Sequence, residues 1–131
     1  MTKIDAVWIF SKAGIPIVDF CKQDSVNKAL FGGAVSAIRT FTQEISGQNL
    51  KSFRLGEFDY TCTTCFNDKL ILVLKSSKKA KNKHVQKICK VIKDMFENLY
   101  TNEEINNWDG NSEFFDKFKE KLEVYFKMAS I

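Results

Sequence analysis

Residues 4–20, IDAVWIFSKAGIPIVDF, contain the pattern that decides the fold. Two apolar runs, 4–10 and 15–20, flank the turn-like sequence 11–14, which is the arrangement of a β-hairpin. The first run is apolar on both of its alternating sides, as is typical of a strand covered on both faces. Pro16 has no backbone N–H to donate, and this favours an edge position for the second run. The chain therefore opens with a central strand paired to an edge strand.

The rest of the sequence adds one long helix, three more strands and two further helices. Asp24 or Ser25 is suited to cap the start of the long helix, and Gly47 is suited to end it. Thr101 and Glu104 have the spacing of a capping box, which predicts a short helical turn between the last two helices. The predicted helices are 24–46, 82–100 and 112–128, and the later predicted strands are 50–55, 58–65 and 70–74.

These patterns favour a five-stranded antiparallel sheet of strand order 2-1-5-4-3. The run 70–74 is apolar throughout and belongs in the centre, whereas 50–55 alternates less cleanly, as the opposite edge strand would. Short turns favour antiparallel pairing of strand one with two, and of three with four and five. We therefore expect one domain over residues 1–131, of α/β (α+β) class. Its order is β-β-α-β-β-β-α-α, with one helix on one face of the sheet and two on the other.

The first helix has apolar residues at steps of three and four, and this stripe is predicted to lie on the sheet. Two glycines in mid-helix, Gly32 and Gly33, cost about 1 kcal/mol each relative to Ala. Two interpretations stay open: a close approach of the helix to the sheet, or a close helix–helix contact in a dimer. The predicted stripe is Val26, Leu30, Ala34, Ile38, Phe41 and Ile45, with Phe31 and Val35 alongside.

From Lys75 to Lys93 there are eight lysines and no acidic residue, although the net charge of the chain is only +4. The remainder of the chain is therefore acidic, and any partner attracted by the lysines meets one face. That face is either a solvated surface or a patch attracted to acidic lipid or to an acidic protein. Attraction to acidic lipid gives peripheral membrane binding as the alternative function. The segment has no interleaved arginine or aromatic residue, which disfavours nucleic acid as a partner. The residues of this basic face are Lys78, Lys79, Lys81, Lys83, Lys87 and Lys90.

Few residues offer catalytic or metal chemistry. Cys62 and Cys65, followed by His84 and Cys89, have a loosely zinc-like spacing. However, residues three apart on a strand point to opposite faces, so the first two thiols do not converge on one ion. The sequence has no phosphate-binding GxxxxGK[ST] motif and no partner motif for a Ser or Cys nucleophile. We therefore expect a protein that is not an enzyme, without cofactor or metal.

No apolar run approaches the roughly 18 residues of a membrane-spanning helix. The first residues also lack the pattern of a signal peptide. We therefore expect a cytoplasmic location, with peripheral membrane contact as the alternative.

The order of elements resembles the longin domain of the roadblock/longin superfamily, and this resemblance implies a longin/profilin-like fold. Four stretches carry the resemblance: the hairpin 7–17 (VWIFSKAGIPI), the block 53–60 (FRLGEFDY), the strand 70–74 (LILVL) and the helix end 95–100 (MFENLY). The resemblance implies a stand-alone longin-like protein that acts as a scaffold or regulator of small GTPases or of vesicle-trafficking complexes. A chain rich in lysine and asparagine is compatible with an archaeal relative of the eukaryotic trafficking proteins.

The resemblance also implies partners and a surface. The expected partners are small GTPases, other longin or roadblock proteins, or a second copy of the chain in a homodimer. Members of the superfamily often make such contacts through the first long helix and the adjoining edge strand. In this chain the corresponding candidates are Phe31, Gly32, Gly33, Phe53 and Arg54.

Overall fold

The computed structural model describes residues 4–21 and 27–129. The strands are β1 (Ile4–Ser11), β2 (Pro16–Cys21), β3 (Ser52–Leu55), β4 (Phe58–Cys65) and β5 (Leu70–Ser77). The helices are α1 (Lys28–Ser46), α2 (Asn82–Leu99), α3 (Asn102–Asn106) and α4 (Asp116–Ala129), and a 3₁₀ turn, Ser112–Phe115, leads into α4. The predicted order of elements is confirmed, with the short α3 standing at the predicted capping box.

The five strands form one antiparallel sheet of order β2-β1-β5-β4-β3, as predicted. The apolar strands β1 and β5 lie in the centre, where both faces are covered. Pro16 lies in the edge strand β2, opposite Phe10, at a point where the register with β1 shifts. A proline is tolerated there because an edge or bulge position needs no N–H in the ladder.

One face of the sheet is covered by α2 and α4. Each of the two long helices, α2 and α4, buries one apolar stripe, because its apolar residues recur at helical steps. Phe96 lies at the centre of this layer, with its ring 4.9 Å from that of Phe118 and 5.9 Å from that of Phe115. The buried residues of the two stripes are Val85, Ile88, Cys89, Ile92 and Phe96 from α2, and Phe118, Leu122 and Phe126 from α4.

The other face is covered by α1 alone, and here the main line of the predicted sheet-facing stripe is wrong. Phe31 and Val35, which are predicted alongside it, do pack against the sheet. Leu30, Phe41 and Ile45 are 73%, 66% and 73% exposed. Val26, also assigned to that stripe, lies outside the described residues. The residues that α1 buries are Gly32, Val35 and Arg39.

Contacts near the start of α1 explain why the helix is rotated about its axis relative to the prediction. The ring of Phe31 lies 4.8 Å from that of Trp8 and 5.4 Å from that of Tyr60. These aromatic contacts hold the Phe31 side of α1 against the sheet. Gly32 faces the β1–β2 turn, where a larger residue would not fit. The contacts of Phe31 and Gly32 therefore fix which side of α1 meets the sheet, and the more regular apolar stripe faces outward.

The ends of α1 follow ordinary capping chemistry. The helix begins at Lys28, and the Asn27 side chain accepts a hydrogen bond from the Leu30 N–H at 3.1 Å. The caps that the sequence suggests, Asp24 and Ser25, lie outside the described residues. Gly47 ends the helix with φ of 71°, the left-handed conformation that glycine adopts without penalty, as predicted.

Candidate functional site

The outward side of α1 is an apolar surface. We call it the outer stripe, and its six exposed residues are Leu30, Gly33, Ala34, Ala37, Phe41 and Ile45. Between Lys28 and Glu44 the helix has one charged residue, Arg39, and that residue is buried. The outer stripe is therefore a continuous uncharged face along the helix. Contiguous exposed apolar surface of this kind usually marks a binding site.

The edge strand β3 adds a second interaction feature. On its inner side it pairs with β4, and in the described part of the chain no strand pairs with its outer side. Phe53 stacks on Tyr60, with ring centroids 5.0 Å apart, on the face of the sheet that α1 covers. Leu55, two residues further on, points to the same face and is 53% exposed. An open strand edge offers backbone groups to a partner.

Arg54 lies on the opposite face of β3 from Phe53. Its guanidinium Nε donates to the Asp59 carboxylate at 2.6 Å, across the β3–β4 hairpin. This hydrogen bond holds the pKa of Asp59 below its usual value and raises that of Arg54. The pair is solvated, so it orients the hairpin and contributes little stability.

The five residues predicted at the partner surface occupy different environments. Phe31 and Phe53 are half-buried against Tyr60, and Gly32 is buried at the β1–β2 turn. Gly33 and Arg54 are exposed. A Cβ added to Gly33 would meet no atom within 4 Å. Gly32 therefore fits the close-approach interpretation, while the role of these five residues in partner binding stays a prediction.

The basic face is solvent-exposed along the β5–α2 connection and the outer side of α2. All six predicted lysines are exposed. Lys78 forms an ion pair with Glu57 at 3.1 Å, and it is the only one of the six for which the described residues show an ion pair. Among the helices of the described segments, none combines the length and apolarity needed to cross a membrane.

The thiols do not converge. Cys62 packs in the cluster on the α1 face of the sheet, whereas Cys65 and Cys89 pack in the cluster on the other face. Burial raises the pKa of Cys62 and of Cys65 to about 12 and that of Cys89 to about 11. His84 is exposed, and residues 4–21 and 27–129 contain no group of three or more His, Cys, Asp or Glu placed to hold a metal ion. Buried, protonated thiols are poor nucleophiles and poor metal ligands.

Sequence reasoning missed Arg39, which is only 5% exposed. Its Nη2 lies 3.7 Å from the Asp68 carboxylate in the β4–β5 turn, so α1 is connected electrostatically to that turn. Phe66, Asn67 and Asp68 all have positive φ (53°, 55° and 71°), which makes the turn an unusual one for non-glycine residues. The signal for Arg39 was its four-residue spacing from Val35, which places both on one side of the helix.

Comparisons with known proteins give the fold an independent test. No protein-family model matches the chain, and no curated protein sequence matches it. Among solved structures, the chain is similar to Myxococcus xanthus MglB, with TM-score 0.52 and 14% identity over 72% of this chain and 85% of that one. It is also similar to the Roadblock/LC7 domain from Streptomyces avermitilis, with TM-score 0.55 and 9% identity over 72% of this chain and 88% of that one. Together with the element order and sheet topology, these similarities show that the chain has the roadblock/longin-type fold.

Proposed function

We propose that this protein is a non-enzymatic interaction module that regulates or scaffolds small GTPases. The observation that carries the proposal is the outer stripe of α1, an exposed apolar surface on a roadblock/longin-type fold. The fold suggests small GTPases as the class of partner, and the outer stripe is the surface that we propose for binding. The finer assignments, vesicle trafficking and a cytoplasmic location, remain part of the proposal.

The outer stripe favours a second copy of the chain as its first occupant. Gly33 and Phe41 each lie four residues from Ala37, on opposite sides of it. If two α1 helices cross antiparallel at Ala37, Phe41 of each copy meets Gly33 of the other, where the absence of a side chain leaves room for the ring. Such a two-fold contact is self-complementary, as homodimer interfaces are. Packing of the Phe41 ring against Gly33 would also offset the cost of this glycine to helix stability.

The open β3 edge extends the same surface. Leu55 and Phe53 lie on the face of the sheet that carries α1. A partner that contacts the stripe can therefore also reach this edge, where backbone pairing would add to side-chain packing. Of the predicted candidates, Gly33 is an exposed member of this combined surface, whereas Arg54 is exposed on the opposite face of β3.

Nucleotide-dependent binding tests the function. Small GTPases of the source organism, purified and loaded with GDP or with a non-hydrolysable GTP analogue, are presented to the wild-type protein in a biosensor assay. We expect saturable binding of one GTPase with preference for one nucleotide state. A screen in which every GTPase fails to bind in both states would contradict the proposal. Lys79→Gln, on the basic face, serves as a surface variant that should bind as the wild type does.

A second candidate function, peripheral binding to acidic membranes, is favoured by the exposure of all six lysines of the basic face. Each lysine near an anionic surface contributes roughly 1 kcal/mol of attraction. We expect the wild type to float with phosphatidylserine vesicles at low salt, and Lys83→Glu/Lys87→Glu/Lys90→Glu to remain in the soluble fraction. Failure of the wild type to float under these conditions would remove this candidate without affecting the first.

A further inference from the structure

Strand β4 extends beyond its neighbour β3. The β3–β4 register ends with Ser52 opposite Thr61, and the last backbone bond between them runs from the Cys62 N–H to the Lys51 carbonyl at 2.8 Å. β4 continues to Cys65. This leaves a short stretch of its outer edge that no described strand covers.

The backbone of Thr64 faces this uncovered edge. On the same side, the Cys62 N–H bonds to the Lys51 carbonyl, and beyond the end of β4 the Phe66 N–H bonds to the Glu97 carboxylate at 2.9 Å. Alternate residues of a strand point their N–H and C=O groups the same way, so Thr64, two residues after Cys62, presents both groups to the outer edge.

A groove runs alongside this edge, between β4 and α2, with a volume of about 420 Å³. Its walls carry three lysines, and none of its lining residues is acidic. The floor is partly shielded from water, because Thr61 is 7% exposed and Cys89 is 3% exposed. The polar residues that line it are Lys51, Thr61, Thr63, Gln86, Lys90 and Lys93.

The chemistry of this lining selects a ligand with negative charge. Ammonium, hydroxyl and amide groups donate hydrogen bonds to anionic oxygens, and charge attraction strengthens where water is partly excluded. Gln86, Lys90 and Lys93 lie on one side of α2, because they are four and three residues apart. They extend over about 10 Å of helix, which matches about three residues of an extended strand.

A concave groove beside an open strand edge fits an extended peptide better than a membrane surface. The lysines that protrude freely, such as Lys79 and Lys83, lie on the basic face and are not part of the groove lining. We propose that the groove between β4 and α2 binds a short acidic segment of a partner protein as an added strand. Its backbone pairs with Thr64, and its carboxylates meet Lys51, Lys90 and Lys93. This site is separate from the outer stripe of α1 and does not depend on the function proposed for that surface.

Fluorescence anisotropy with a labelled peptide that contains four consecutive glutamates tests the binding. We expect saturable binding at about 0.15 M salt that weakens at about 1 M salt, and no binding of the matched four-glutamine peptide. Lys90→Gln/Lys93→Gln should weaken binding by about tenfold or more, since two charge contacts are lost. The control Lys79→Gln/Lys83→Gln loses the same charge outside the groove and should bind within about twofold of the wild type.

Amide NMR spectra test the added strand. Titration with the glutamate peptide should shift the amide signals of Thr64 and of residues in α2 that face the groove. Equal loss of peptide binding in the two double variants would show general attraction to lysines and overturn the proposal. No saturable binding by the wild type, binding of phosphatidylserine vesicles but not of peptide, or an unmoved Thr64 amide would overturn it as well.

Discussion

Gly14 and Gly32 touch across the junction between the β1–β2 turn and α1. A Cβ added to Gly14 would lie 2.5 Å from the Gly32 carbonyl oxygen, and one added to Gly32 would collide with the Gly14 carbonyl oxygen. The Phe10 ring closes the same space, at 2.7 Å from that hypothetical Gly32 Cβ. This contact fixes the height and rotation of α1 on the sheet, and so it decides which residues the helix exposes.

The two neighbouring glycines of α1 should therefore respond in opposite directions to the same substitution. Gly32→Ala places a methyl group against backbone and should lower the free energy of unfolding by about 2 kcal/mol. Gly33→Ala adds a methyl group in open space and should raise it by about 1 kcal/mol. Urea unfolding of both variants at a concentration that keeps the protein monomeric provides the measurement. Equal destabilisation by both substitutions would contradict the observed placement of α1.

The four cysteines should differ in their reaction with a thiol reagent such as DTNB. Burial raises the pKa of Cys62, Cys65 and Cys89, so these thiols remain protonated and shielded at pH 8. Cys21 is partly exposed, and we expect it to react first in the native protein. Cys21→Ser should then remove the fast phase, and full labelling should require unfolding. Fast labelling of the Cys21→Ser variant would show that the core opens more readily than its packing implies.

Stability should fall as the solution becomes alkaline. The folded pKa values of about 12, 12 and 11 for Cys62, Cys65 and Cys89 exceed the ordinary value of 9.0. Between these values the unfolded chain releases thiol protons that the native state retains, so rising pH favours unfolding. Each thiol contributes a loss of up to about 1.4 kcal/mol per pH unit above pH ~9. Burial also raises the pKa of Tyr60, Tyr100 and Tyr125, which acts in the same direction.

A cysteine variant isolates this effect. Cys89→Ala removes one of the three buried thiols, so the slope of unfolding free energy against pH between about 9 and 11 should become shallower by up to about 1.4 kcal/mol per pH unit. The measurement is urea unfolding at several pH values for both proteins. Parallel slopes for the variant and the wild type would mean that the Cys89 pKa is not raised.

The sequence predicted the elements and the sheet order because each rests on local patterns. β1 and β5 are apolar on both sides, Pro16 favours an edge, and short turns leave few ways to pair the strands. The stripes of α2 and α4 were also predictable, since each of these helices has a single apolar side opposite charged residues. For β1, β5, α2 and α4, the apolar sides that the sequence pattern assigns to the core are therefore the ones that the structure buries.

The rotation of α1 could not be predicted in the same way. Its apolar residues form two overlapping sets one residue apart, one through Leu30 and Phe41 and the other through Phe31 and Val35. Periodicity favoured the first set, and the second contains Arg39, a charged residue that argues against burial. Only the contacts of Phe31 and Gly32 with the sheet and the β1–β2 turn decide between them. The sequence alone therefore could not show that the outer stripe faces solvent.

The groove beside β4 also required the structure. The sequence pattern extended β3 back to Leu50, but the strand begins at Ser52, and Leu50 packs against the core instead. β4 continues to Cys65, beyond its last backbone bond with Lys51, so no described strand covers its outer edge near Thr64. Lys51 and Lys93 are distant in sequence, so no local pattern indicated that they line one groove.

The most direct test of the interaction surface is the molar mass of the protein in solution, measured by size-exclusion chromatography with light scattering. We expect the wild type to be a dimer at micromolar concentration and Phe41→Glu to be a monomer with unchanged circular dichroism, because Phe41 is 66% exposed in the single chain. Thr40→Glu is the matched control for charge, since Thr40 is exposed next to Phe41 but lies outside the outer stripe, and it should weaken the dimer less. A wild-type protein that is monomeric at these concentrations, or a Phe41→Glu variant that remains a dimer, would contradict assembly through the outer stripe of α1.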